Sequence, residues 1–161
     1  MAKLIKDGYG QLELNQVAFR RDGRIIAQYE LAIDQAENGM LLAVDHVNKT
    51  IGYPTEGQTK GLALNYTAEH MYDERLAHGL KHFVVKKGGI LPRLGLLAEG
   101  DRFTTNAVEY AEGFDPKTAT YGHAGINGYI VIDNEEANAV LKVVEYTDMP
   151  DGQPAIKFVV L

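Results

Sequence analysis

Short runs of alternating apolar and polar residues, separated by turn-forming residues, dominate the chain. The first run covers 12–19, with a phase slip in its middle, and a second covers 25–33. Between them, Asp22-Gly23 is typical of a hairpin turn. The pattern therefore predicts an N-terminal β-hairpin, followed by a third strand over 40–47.

The middle of the chain contains the best helix signal. Residues 52–61 carry proline and glycine without an apolar period, which indicates a loop, and 62–66 fits a short strand. Thr67 then provides a helix cap, and Gly79 provides a helix end. The apolar residues between these two positions share one helical face, namely Ala68, Met71, Tyr72 and Leu76.

Strand signals return in the C-terminal half. Residues 129–132 form an apolar, β-branched run flanked by turn residues. The stretch 137–146 fits both a helical stripe and a strand, and we assign its second half to a strand. Residues 155–161 alternate again, so the chain from 127 onward is predicted to form a β-meander.

These elements predict a mainly-β fold, either a β-barrel or a β-sandwich-like domain, with one short helix and an N-terminal β-hairpin segment. Two domain divisions remain open. Residues 1–51 form an N-terminal strand and hairpin extension to a mainly-β domain at 62–161, or one continuous domain covers 1–161.

Composition narrows the function classes. The 161 residues carry a formal charge of −6, which argues against a surface that coats nucleic acid, because phosphate binding draws on clustered cations. The chain contains neither cysteine nor serine, which excludes disulfides, cysteine-ligated metals and both of those nucleophiles. Since no apolar run approaches membrane-spanning length, we expect folding in a cytoplasm without a membrane partner.

The strongest metal-ligand pattern is His70, Glu74 and His78. Positions four apart on a helix lie on neighbouring faces, so two imidazoles and a carboxylate could meet one cation. The same residues also fit the polar side of an amphipathic helix, and we favour that interpretation. We predict no metal and no other cofactor.

No residue pattern predicts a covalent catalyst, and the glycine clusters fit turns better than phosphate loops. The tyrosines provide a different possibility, because exposed ones such as Tyr53 and Tyr121 can stack on carbohydrate. A compact β domain without a visible catalyst is typical of an assembly or binding protein, so we predict that the chain is not an enzyme.

Four segments resemble small structural proteins that are encoded beside the major capsid protein of tailed bacteriophages and prophages. They are GDRFTTNAV at 100–108, GINGYIV at 125–131, MPDGQPAIKF at 149–158 and KDGYGQLELNQVAFRRDG at 6–23. The chain resembles a head decoration, or cement, protein in particular. This resemblance implies a virion protein without a cofactor that docks on the outside of the capsid, with the major capsid protein as its partner and a trimer as the favoured homo-oligomer.

Under this interpretation the N-terminal stretch contributes to docking, either by ordering on its neighbour or by adding a strand to it. The residues that we assign to this interface are Leu4, Ile5, Tyr9, Leu12 and Leu14. The simpler alternative is that they form the first strand of the fold. Two other functions stay open: a tail-tube or head–tail joining protein, and a metal-dependent or carboxylate enzyme.

Overall fold

The computed structural model describes residues 1–67 and 79–161 of the chain. This part is mainly β, as the sequence predicts, and its strands are β1 (Ala2–Lys3), β2 (Leu12–Gln16), β3 (Ile25–Ile26), β4 (Glu30–Leu31), β5 (Gln35–Glu37), β6 (Leu41–Asp45), β7 (Thr50–Gly52), β8 (Leu62–Asn65), β9 (Val84–Lys86), β10 (Leu94–Gly95), β11 (Arg102–Thr105), β12 (Val108–Tyr110), β13 (Tyr121–Ala124), β14 (Ile130–Asp133), β15 (Leu141–Asp148) and β16 (Pro154–Val160). Helical structure in the described ranges consists of α1 (Phe19–Asp22) and two 3-10 helices, Gly79–His82 and Pro116–Thr118.

Two large sheets and a small one organise these strands. The eight-stranded sheet has the order β1-β12-β14-β13-β15-β16-β11-β2, and the six-stranded sheet has the order β3-β10-β8-β6-β7-β4. Strands β5 and β9 pair separately. Both large sheets have edge strands at either side, so the sandwich-like alternative describes the fold and a closed barrel does not.

Each large sheet combines strands from before and after the loop at 53–61. In the eight-stranded sheet β1 pairs with β12 and β2 pairs with β11, while in the six-stranded sheet β6 pairs with β8. Strands that lie before residue 52 are therefore hydrogen-bonded to strands that lie after residue 61 in both sheets.

The first hydrophobic core lies between the two large sheets. Leu41 and Leu64 of the six-stranded sheet join Phe103, Ile156 and Phe158 of the eight-stranded sheet in one buried cluster. The alternation predicted for the last strand is confirmed, because Ile156 and Phe158 face this core together. Burial of these large side chains is the main force that holds the sheets together.

A second core lies on the other face of the six-stranded sheet. Leu42 and Ala63 belong to this cluster, together with Ala36 of β5 and Val85 of β9. Successive residues of a strand point to opposite faces, so β6 places Leu41 in the first core and Leu42 in the second. The six-stranded sheet is thus covered on both faces.

The predicted hairpin at Asp22-Gly23 is wrong. The chain forms α1 there, and Gly23 ends that helix in the left-handed conformation with φ 70°. The physical reason is the full burial of Phe19, which the helix turns into the first core beside Gly95. A hairpin does occur at the end of the N-terminal segment, but it consists of β6 and β7 and reaches Gly52.

The predicted β-meander is partly wrong as well. Strands β15 and β16 form an antiparallel hairpin, as expected, but β13 lies between β14 and β15 in the sheet. Strand β14 pairs with β12 in parallel, which a meander does not allow. The individual strands predicted near 62–66, 129–132, 141–146 and 155–161 are confirmed.

The predicted helix that begins after Thr67 and ends at Gly79 falls almost entirely outside the described residues. Among the helices of residues 1–67 and 79–161, none has the length and apolar character needed to cross a membrane.

Candidate functional site

The five N-terminal residues assigned to docking lie mostly in the chain's own core. Leu4 and Leu12 are buried in the first core, and Leu14 packs against it. Ile5 packs against the second core, and Tyr9 is half-buried, with its backbone N–H donating to the carbonyl of Lys81. The residues thus belong to the fold, although only Leu12 and Leu14 lie in a strand, and docking through them stays a prediction.

Polar side chains hold the backbone between β1 and β2. The Gln153 Oε1 atom accepts hydrogen bonds from the N–H groups of Lys6 and Asp7 at 3.1 Å each, and Gln153 Nε2 donates to the Asp7 carbonyl at 2.9 Å. Further along, the Gly10 N–H donates to Glu37 Oε1 at 2.9 Å. Side chains thus supply the partners that a sheet ladder would otherwise provide.

The metal-ligand candidates His70, Glu74 and His78 lie outside the described residues. Elsewhere, in 1–67 and 79–161, no three histidine, aspartate or glutamate side chains are grouped as metal ligands. Of the tyrosines considered for carbohydrate binding, Tyr53 is exposed in the loop after β7, and Tyr121 is half-buried on β13.

A groove of about 620 Å³ lies on the outer side of the eight-stranded sheet. We call it the acidic groove, and it is lined by Met1, Glu56, Gly57, Gln58, Glu109, His123, Ala124, Gly125, Ile126, Asn127, Val131, Asp133, Glu135, Ala137 and Asn138. Its floor comes from β12, β14 and β13, and its walls come from the loops around residues 57, 126 and 136.

Strand register aligns the floor of the acidic groove. Val131 pairs with Glu109 on one side and with His123 on the other, so all three face outward. Asp133, two residues further along β14, faces the same way because side chains alternate between the faces of a strand. The intervening Ile132 points into the first core.

Hydrogen bonds fix the polar groups of this floor. His123 Nε2 lies 2.8 Å from Asp133 Oδ1, which also accepts the Glu135 N–H at 2.9 Å. The Asn127 amide donates to both oxygens of Glu109, at 2.8 and 2.9 Å. These bonds orient the carboxylates of Asp133 and Glu109, of which Glu109 is itself only 6% exposed.

The groove is negative overall. Four carboxylate side chains line it, and its lining contains no lysine or arginine within the described residues. Lys3 pairs with Glu109 in the β1–β12 ladder, and its ammonium lies 4.3 Å from the centre of the Tyr129 ring. A cationic group would therefore gain electrostatic energy on entering the groove.

Two apolar side chains project from this negative surface. Ile126 and Met1 are each 66% exposed. Ile126 sits on a tight turn in which the Gly128 N–H donates to the Gly125 carbonyl at 3.0 Å, and Gly128 has φ 87°. The turn fixes the backbone at Ile126, which lines the same groove as the carboxylates.

Comparison with known proteins gives no match. No family model matches the chain, and no curated protein or solved structure is significantly similar to it. The candidate site therefore rests on its own chemistry.

Sequence reasoning missed the acidic groove because its floor comes from three strands that are distant along the chain. Glu109, His123 and Asp133 show no common spacing, and only the register of β12, β14 and β13 brings them to one face. The one local signal was the pair of glycines around Ile126, which correctly indicated a turn.

Proposed function

We propose that the chain is a non-enzymatic virion protein that binds the outside of a phage capsid and stabilises the shell. The observation that carries this proposal is the acidic groove, which is lined by the exposed Ile126 and by four carboxylate side chains. Exposed apolar side chains surrounded by polar groups are typical of protein interaction sites. The four segments that resemble decoration proteins support the capsid as the partner.

The chemistry of the groove specifies the segment that it binds. The four carboxylates favour lysine or arginine, and Ile126 with Met1 favours an aliphatic or aromatic side chain beside the cation. The partner segment is therefore an exposed basic and apolar stretch of the major capsid protein. Such a segment fits without a covalent step, a metal or a cofactor.

Binding of several copies of the protein to one shell makes the overall attachment stronger than each single contact. Once one copy of a homo-oligomer has docked, the remaining copies bind as if at high local concentration. A trimer that spans several capsid subunits would in this way hold neighbouring subunits together. Shell stabilisation follows from the geometry of many equal contacts.

Co-sedimentation with purified capsid shells tests the proposal. We expect Ile126→Asp to weaken shell binding by about tenfold or more, because burial of an isoleucine side chain contributes about 1.5–3 kcal/mol. Val47→Asp is the matched control, since Val47 is 90% exposed on the β6–β7 turn and does not line the groove. Equal binding by the two variants would contradict a docking role for the groove.

Charge reversal provides an independent arm of the same experiment. Glu135→Lys in the groove wall should weaken binding, and the loss should shrink as salt is raised. Glu112→Lys, at an exposed position outside the groove, serves as its control. Absence of shell binding by the unaltered protein, together with ring formation in electron micrographs, would instead favour a tail-tube or joining protein.

A further inference from the structure

A second opening lies between the two large sheets, next to the loops around residues 58 and 138 that also line the acidic groove. It has a volume of about 400 Å³, and its lining consists of Leu41, Thr59, Lys60, Gly61, Leu62, Leu97, Glu99, Ala139, Val140, Leu141, Val160 and Leu161. We call it the aliphatic cleft. Its size falls within the range of small-molecule sites in proteins.

The floor of the aliphatic cleft is the first core itself. Leu41 of β6 and Leu141 of β15 are both 1% exposed, and they come from the two opposing sheets. Leu62, Leu97 and Val160 form the walls and are only partly buried. A ligand in the cleft would remove this remaining aliphatic surface from water.

Hydrogen bonds fix the backbone of the cleft walls before any ligand binds. Gln58 Oε1 accepts the Thr55 N–H at 3.0 Å, and Gln58 Nε2 donates to the Lys60 carbonyl at 2.8 Å. On the opposite wall, Asp101 Oδ2 accepts the Ala98 N–H at 2.9 Å, and the Leu161 N–H donates to the Val140 carbonyl at 3.1 Å. A site that is already formed loses less entropy when it binds a ligand.

The side chains at the mouth set the chemistry of a head group. Lys60 is exposed there and makes no ion pair with any residue of the described ranges, while Thr59 adds a hydroxyl. Glu99 also lies at the mouth, and its negative charge weakens the binding of an anion. The lining contains no aromatic ring within the described residues, so its apolar part complements a flexible hydrocarbon chain.

We propose that the aliphatic cleft binds a single-chain alkanoic acid, with the hydrocarbon chain over the floor of Leu41 and Leu141 and the carboxylate beside Lys60. The cleft and the acidic groove have different lining residues, although the loops around residues 58 and 138 contribute to both. Binding involves no bond making or breaking, and it covers the partly exposed leucines of the walls.

Calorimetric titration with hexanoate, heptanoate and octanoate measures how much the hydrocarbon chain of the ligand contributes to the binding affinity. Each added methylene should strengthen binding about fourfold, because burial of one CH₂ contributes about 0.8 kcal/mol. Methyl NMR of the unaltered protein should show the largest shift changes at Leu41, Leu62 and Leu141. Affinity that does not depend on chain length, or shift changes centred elsewhere, would overturn the proposal.

Two pairs of variants complete the test. Leu97→Gln should weaken octanoate binding, whereas Leu91→Gln should not, because Leu91 is a 46% exposed leucine outside the cleft. Lys60→Gln should weaken binding by about two- to fivefold, as expected for an exposed ion pair, and Lys87→Gln should leave it unchanged. Equal effects of the two leucine variants would refute the proposed site of the hydrocarbon chain, even if Leu97→Gln lowers stability. Equal effects of the two lysine variants would refute the proposed site of the carboxylate.

Discussion

Removal of one buried hydroxyl, in Tyr129→Phe, probes the contact that joins the second core to the N-terminal segment. Tyr129 is 7% exposed, and its hydroxyl donates to Oε2 of Glu37, which is 4% exposed. The other oxygen of Glu37 accepts the Gly10 N–H at 2.9 Å. The substitution leaves a buried carboxylate with one donor fewer and little room for a replacement water.

The expected cost follows from the charge and burial of the pair. A hydrogen bond to a charged group contributes about 1.5–3 kcal/mol. For a chain of this length, a loss of about 2 kcal/mol lowers Tm by roughly 4–8 °C. Because Glu37 and Tyr129 share the contact, Glu37→Gln and Tyr129→Phe should be non-additive in a double-mutant cycle, with a coupling energy of about 1 kcal/mol or more.

The same contact predicts a dependence on alkaline pH. Burial, reinforced by the hydrogen bond to Glu37, raises the pKa of the Tyr129 phenol well above its usual value. The raised pKa stabilises the fold fully below pH of about 10, where the phenol in the unfolded chain keeps its proton. Above that pH the contribution is lost progressively, at up to about 1.4 kcal/mol per pH unit, until the folded-state pKa is passed.

Urea unfolding followed by circular dichroism, at pH 7 and between pH 9 and 11, measures both effects. Tyr129→Phe should be less stable at pH 7 and should lose less stability on going to pH 11 than the unaltered protein. Tyr121→Phe is the matched control, because the Tyr121 hydroxyl has no hydrogen-bond partner among the residues described by the structure. A change of under about 0.5 kcal/mol for Tyr129→Phe, similar to the control, would refute the reasoning.

Two further substitutions test the packing and the N-terminal attachment. Gly95→Ala places a Cβ atom 2.5 Å from the Phe19 ring, so it should lower the free energy of unfolding by about 1–3 kcal/mol in a urea titration. A stability equal to that of the unaltered protein would show that the ring moves without cost. Gln153→Ala removes the partners of the Lys6 and Asp7 amides, so hydrogen exchange at these two sites should accelerate more than exchange in β16. Uniform acceleration would indicate global destabilisation instead.

The alternation of apolar and polar residues correctly predicted those strands that bury one face against a single core. The alternation around Ile156 and Phe158 places both in the first core, and the run at 129–132 is a strand as expected. Locally, Asp22-Gly23 has the composition of a hairpin turn, yet Phe19 is buried by a helical turn. Tertiary packing of one aromatic ring therefore decided the conformation against the local signal.

Polar contacts between residues that are distant along the chain could not be predicted from the sequence. Glu37 and Tyr129 are 92 residues apart, and the sequence around each residue gives no sign that the two side chains are in contact. The floor of the acidic groove depends in the same way on the parallel pairing of β12 with β14. Strand order and register are properties of the assembled sheet, so residue spacing alone carries little information about them.

The two-sided burial of β6 has a mechanical consequence. Leu41 and Leu42 anchor the same piece of backbone in two separate compartments, so a shift of β6 toward either one would open a void in the other. The six-stranded sheet is therefore a shared wall between the two cores. Layers packed in this way resist sliding past one another.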